Sequence, residues 1–62
     1  MIYVFDLLTE QRVYINPLNV IYATLHNNDV RYYDVYLNGD SMIKVTKDNF
    51  LRIKKELNQC LL

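Results

Sequence analysis

His26 is the only histidine in this 62-residue chain, and Asp29 follows it by three residues. An imidazole oriented by a carboxylate is the usual general base. Here the simpler reading is a histidine that closes a strand at a loop edge, because no nucleophile stands near it in sequence. Cys60 has a nucleophilic thiol but no base beside it, and it falls on an apolar stripe, where cysteine behaves as a small hydrophobe. Ser41 follows a turn and has no histidine partner. Asp34 lies between tyrosines and is read as accepting a hydroxyl or pairing with Lys44 across a hairpin. Asp29, Asp40 and Asp48 are spaced as loop and cap residues and do not match a calcium loop. One histidine and one cysteine do not make a zinc pattern. The expectation is a protein that is not an enzyme, with no metal and no cofactor.

Tyrosine is what the chain offers instead: six of its residues, against one glycine and one proline. The stretch VRYYDVYLNGDSMIKV, residues 30–45, places Tyr32, Tyr33 and Tyr36 on one strand. Where such rings point depends on the elements that carry them. Segments 2–7, 12–15, 18–26, 30–37 and 41–45 read as strands, separated by Thr9-Glu10-Gln11, Asn16-Pro17, His26-Asn27-Asn28-Asp29 and Asn38-Gly39. Asn38-Gly39 reads as a turn of the primed type, with positive φ at both residues. After Val45 the apolar period changes to three and four: Phe50, Ile53, Leu57, then Cys60 or Leu61. That is the stripe of an amphipathic helix, capped by Thr46 or Asp48. The expected fold is a single α+β domain over residues 1–62: an antiparallel sheet of about five strands with the C-terminal helix across one face.

Alternation then sorts the side chains. Ile2, Val4, Val13, Ile15, Ile21, Ala23, Leu25, Tyr33, Val35, Leu37, Ile43 and Val45 are assigned to the helix side. Tyr3, Tyr14, Tyr22, Tyr32 and Tyr36 are assigned to the face away from the helix. Arg12 and Lys44 lie among them, and Val20, Phe5, Leu7 and Met42 form an apolar centre; Arg31 joins Arg12 and Lys44 as a phosphate contact if the face stacks bases. A register slip or a bulge would break the assignment.

With the strands placed, the chain resembles the FlbD-type flagellar or swarming-motility proteins. The resemblance rests on Met1-Ile2-Tyr3-Val4, on Val13-Tyr14-Ile15-Asn16-Pro17 followed by Val20-Ile21, on Leu37-Asn38-Gly39, and on Val45 plus a helix. It covers nearly the whole chain and implies a shared architecture. Those proteins usually carry a glycine in the first turn, where this chain has Thr9-Glu10-Gln11. Residues 20–57 also resemble, more faintly, the LytTR DNA-binding domains.

Seven basic and seven acidic residues balance. Duplex DNA binders draw affinity from phosphate neutralisation, so this balance disfavours nucleic acid. No apolar run approaches the roughly 20 residues of a membrane span. A free thiol without a leader fits a reducing cytoplasm, and abundant Asn, Tyr, Ile and Lys fit an AT-rich bacterial or phage genome. So small a domain buries about 60% of its unfolded surface and gains from a partner. The functional expectation is a non-catalytic protein that self-associates and binds another protein through Tyr3, Tyr14, Tyr22, Tyr32 and Tyr36, with Arg12 and Lys44 alongside. It would act as a bacterial accessory factor or as a phage inhibitor of a host system. The alternative is a single-stranded nucleic-acid or nucleotide binder that stacks bases on the same rings.

Overall fold

The structure, a computed structural model, describes residues 1–61, with side chains described through Gln59. Five strands precede one helix: β1 (Ile2–Asp6), β2 (Gln11–Ile15), β3 (Val20–His26), β4 (Asp29–Leu37), β5 (Ser41–Thr46) and α1 (Lys47–Leu61). The α+β architecture is as expected, but the strands divide into two antiparallel sheets, β1-β2 and β3-β4-β5. Asn16-Pro17 accounts for the division. Proline cannot donate to a ladder, and Asn16 Oδ1 accepts from the Leu18 N–H to start a 3-10 turn, Pro17–Asn19. The chain turns away there before β3 begins.

The end of β1 joins the two sheets at the outer edge of β5. The Leu7 N–H donates to the Lys44 carbonyl at 2.8 Å, and the Lys44 N–H donates to Asp6 Oδ1 at 3.1 Å. Asp6 is buried, which alternation with Ile2 and Val4 requires. Its carboxylate also accepts from the Leu8 N–H (3.0 Å) and the Thr9 hydroxyl (2.9 Å). Burial alone would raise the pKa of this carboxyl. The hydrogen bonds from Lys44, Leu8 and Thr9 outweigh it and hold the pKa below its ordinary value.

Cross-strand rows settle which side chains share a face. Ala23, Val35 and Ile43 stand in one row, and Leu25, Tyr33 and Val45 in the next. These rows face the core, where Val35 and Val45 are fully buried with Val4, Ile15 and Ile53. The β3–β4 register is irregular at two places: residues 30–32 of β4 have no partner in β3 between the pairs Leu25–Tyr33 and His26–Asp29, and alternation fails near the start of β3. A bulge lies between the pairs Val20–Leu37 and Tyr22–Tyr36, so Ile21 is an extra residue without a partner in β4. Val20, assigned outward, packs against the core, while Ile21, assigned inward, stands 59% exposed.

The turns also exchange roles. Asn27 (φ 50°) and Asn28 (φ 60°) lie between the paired His26 and Asp29 and form the tight two-residue turn. At the other hairpin Leu37 pairs with Ser41 across residues 38–40, and positive φ falls on Gly39 and Asp40 rather than on Asn38. Asparagine and aspartate tolerate the left-handed region better than other side chains, so both loops form with a single glycine.

The helix follows its period. Thr46 Oγ1 accepts from the Asn49 N–H at its start, and Asp48 lies in the first turn. Ile53 is buried, and Phe50 stacks on Tyr33 with ring centres 4.0 Å apart and planes 6° from parallel. The side chains of Cys60 and Leu61, at the end of the expected stripe, lie outside the described residues.

Two measurements of stability test this account. Asp6→Ala leaves the Lys44 and Leu8 N–H groups without an acceptor and should cost about 2–3 kcal/mol in chemical denaturation. Asp6→Asn keeps an acceptor oxygen and should cost less. The folded pKa of Asp6 is depressed, so its contribution is present above the ordinary carboxylate range and lost as pH falls through the folded value; Asp6→Asn should flatten that acid-side loss. The second concerns Glu10, which holds φ 58° in the β1–β2 turn. Glu10→Gly should stabilise the fold by about 0.5–1 kcal/mol, because it removes left-handed strain at a smaller unfolded-state entropy cost. A lower midpoint for Glu10→Gly would refute the strain.

Candidate functional site

The outer face of the three-stranded sheet carries two cross-strand rows. Tyr22, Tyr36 and Met42 form one, and Thr24, Asp34 and Lys44 the other, with Tyr32 opposite Thr46 beyond them. Tyr22 and Tyr36 stack, with ring centres 4.4 Å apart and planes at 16°. Lys44 Nζ stands 4.8 Å from the centre of the Tyr32 ring, and the Arg31 guanidinium 5.3 Å from it, both within cation–π range. The rings are therefore ordered by contacts within the chain. Tyr22 is 54% exposed, and Tyr32 and Tyr36 are half-buried.

Tyr3 and Tyr14 form a separate pair on the other sheet. They face each other across β1 and β2 with ring centres 4.3 Å apart. Tyr3, Phe5 and Arg12 line a cleft with Asn49 and Arg52 of α1. The outer face of this hairpin thus borders the helix and does not lie wholly away from it. The five tyrosines assigned to one surface resolve into a stacked pair on each sheet and a single ring, Tyr32, held by cations. Phe5 and Arg12 belong with the first pair, Met42 and Lys44 with the second. Division of the strands between two sheets is the reason.

His26 and Asp34 meet on this face, Nδ1 to Oδ1, at 2.8 Å. Asn27 Nδ2 lies 3.3 Å from Nε2. With that amide donating to Nε2, the neutral ring carries its proton on Nδ1 and donates it to Asp34. The expected neighbour of His26, Asp29, is taken by Arg31. Nε of Arg31 reaches Oδ1 at 3.0 Å and Nη2 reaches Oδ2 at 2.8 Å. This guanidinium bonding lowers the Asp29 pKa to about 2. Lys44 stands opposite Asp34 in register, yet its ammonium goes to Tyr32 and the carboxylate to His26. The His26–Asp34 pair has the first two members of a relay, but Nε2 faces an amide rather than a hydroxyl or thiol. Its geometry ties β3 to β4, and among the described residues no hydroxyl or thiol is hydrogen-bonded to the ring. Among the described residues, no three His, Cys, Asp or Glu side chains converge on a point that would hold a metal ion, and no helix is long and apolar enough to cross a membrane.

Double-mutant cycles test whether the rings form independent pairs. Tyr22 and Tyr36 truncated to alanine should couple by about 0.5–1.5 kcal/mol, and Tyr3 with Tyr14 likewise. Tyr14 with Tyr36 should be additive within about 0.5 kcal/mol; coupling as large as that within the pairs would mean one continuous cluster. No family model, curated protein or solved structure matches this chain.

Proposed function

We propose that this chain is a non-catalytic interaction protein that receives a protein partner on the outer face of its three-stranded sheet. The observation that carries this reading is the stacked Tyr22–Tyr36 pair, beside Met42 and the cation-held Tyr32, ordered before any partner arrives. Ordering rings in advance removes part of the entropy cost of binding, and tyrosine presents a broad apolar surface with a polar tip. The face is mixed in charge, since Asp34 stands in the middle strand beside Lys44. A carboxylate there opposes phosphate. Arg31 is bonded to Asp29, and Lys44 sits over Tyr32. Tyr22 and Tyr36 cover one another, which closes the slot that a base would need. These features favour a protein surface over a nucleic-acid strand.

Capture from an extract of the source cell tests the reading with three immobilised forms: wild type, Tyr36→Arg, and Leu18→Arg, an exposed position off this face. A protein retained by wild type and Leu18→Arg but lost from Tyr36→Arg, with circular dichroism unchanged, supports it. Equal retention on all three removes the face from consideration. Tyrosine quenching by a single-stranded oligonucleotide at low salt would move the assignment to nucleic acid.

A further inference from the structure

The strand edges of this fold are not treated alike. The outer edge of β5 is occupied by Asp6 and Leu7, which take both the N–H and the C=O of Lys44. The edge strand β2 is five residues long, carries the charge of Arg12 and runs into Asn16-Pro17. Charge, brevity and proline are the common means by which proteins blunt an edge. The outer edge of β3 has none of these three, although the bulge at Ile21 lies within it. It spans seven residues, Val20–His26, without an acidic residue, lysine, arginine or proline. Among the described residues, no backbone hydrogen bond reaches the free edge of residues 21–26. Ile21 and Leu25 are exposed on it, at 59% and 38%. On the helix side, Val20, Ile21 and Ala23 continue into an open apolar groove of about 270 Å³ with Phe50, Ile53 and Leu57.

We propose that this edge pairs with the same edge of a second copy, antiparallel and centred on Ala23, so that two three-stranded sheets become one of six strands. The register follows from side-chain chemistry. An antiparallel pair about Ala23 sets Ile21 opposite Leu25 of the second copy, and Leu25 opposite its Ile21. The two most exposed apolar residues of the helix side thus cover each other twice, and the smallest side chain of the strand stands on the two-fold axis. Opposite residues share a face in an antiparallel ladder, so both helices lie on the same side. The outer row Met42–Tyr36–Tyr22 runs on into Thr24, Asp34 and Lys44 of the second copy. β3 itself brings no like charges to the seam, since it carries none and His26 is bonded to Asp34; Lys54 of α1 borders the same groove. The bulge has a role in this arrangement: by expelling Ile21 from the β3–β4 ladder it delivers an isoleucine to the edge. Pairing consumes the β3 edge of each copy, the longest free edge among the described residues, so this contact closes at two.

The test uses the purified full chain. Sedimentation at about 0.1 mM should show a dimer, and Ile21→Lys should weaken it at least about tenfold. Because Ile21 is already exposed, this change leaves the folded monomer intact by circular dichroism. In a Cys60→Ser background, Ala23→Cys should link to its twin on mild oxidation, since opposite Cβ atoms lie about 5 Å apart, while Asn28→Cys at the far turn should not. A monomer throughout, a dimer that survives Ile21→Lys, or equal linking at both cysteines would each overturn the proposal. A dimer abolished only by Tyr36→Arg would place the contact on the tyrosine face instead. The experiment contains no other protein, so its outcome is independent of the partner proposed for that face.

Discussion

The Asp6 carboxylate meets three donors from two separate parts of the chain: the Leu8 N–H, the Thr9 hydroxyl and the Lys44 N–H. Burying a charge is costly unless such donors surround it. The arrangement therefore demands that the β1–β2 turn and the edge of β5 come together, where the Leu7 N–H also donates to the Lys44 carbonyl. Once they are together, Val4 and Ile15 of one sheet can share a core with Val35, Val45 and Ile53. The same contact shuts the β5 edge. The β3 edge lies at the opposite side of the three-stranded sheet, away from that contact.

Strand β4 shows how so short a chain uses aromatic residues on both sides of one sheet. Tyr33 points to the helix and stacks on Phe50, while its neighbours Tyr32 and Tyr36 point out, one beneath cations and one against Tyr22. Each ring has a specific partner within the chain. The inner stack seats the helix. The outer stack forms a broad, partly apolar surface whose shape is set in advance. The small core of β-branched residues is rigid enough to hold both.

Much of the framework was legible because its causes are local. Alternation in Ile2–Asp6, the three-four period from Phe50 to Leu57 and the cap at Thr46 each depend on residues within a few positions of one another. Asp6 itself was legible in principle. Alternation places it on the inner face, and Leu8 and Thr9 supply nearby donors in the manner of an Asx turn. Its third donor, Lys44, is 38 residues away and has no signature in the sequence.

The sequence by itself determined the element types, the helix face, the turn positions and the tyrosine-rich character of the strands, since these follow from backbone geometry over a few residues. Tertiary structure decided that His26 pairs with Asp34 across β3 and β4 and not with Asp29, which Arg31, two residues along the same strand, holds. It also decided how the tyrosines group, and that Val20 and not Ile21 enters the core. All of these depend on cross-strand register, and one inserted residue in a ladder reverses every facing before it. That register is chosen by the fit of the whole core, a constraint that no segment of the chain carries alone.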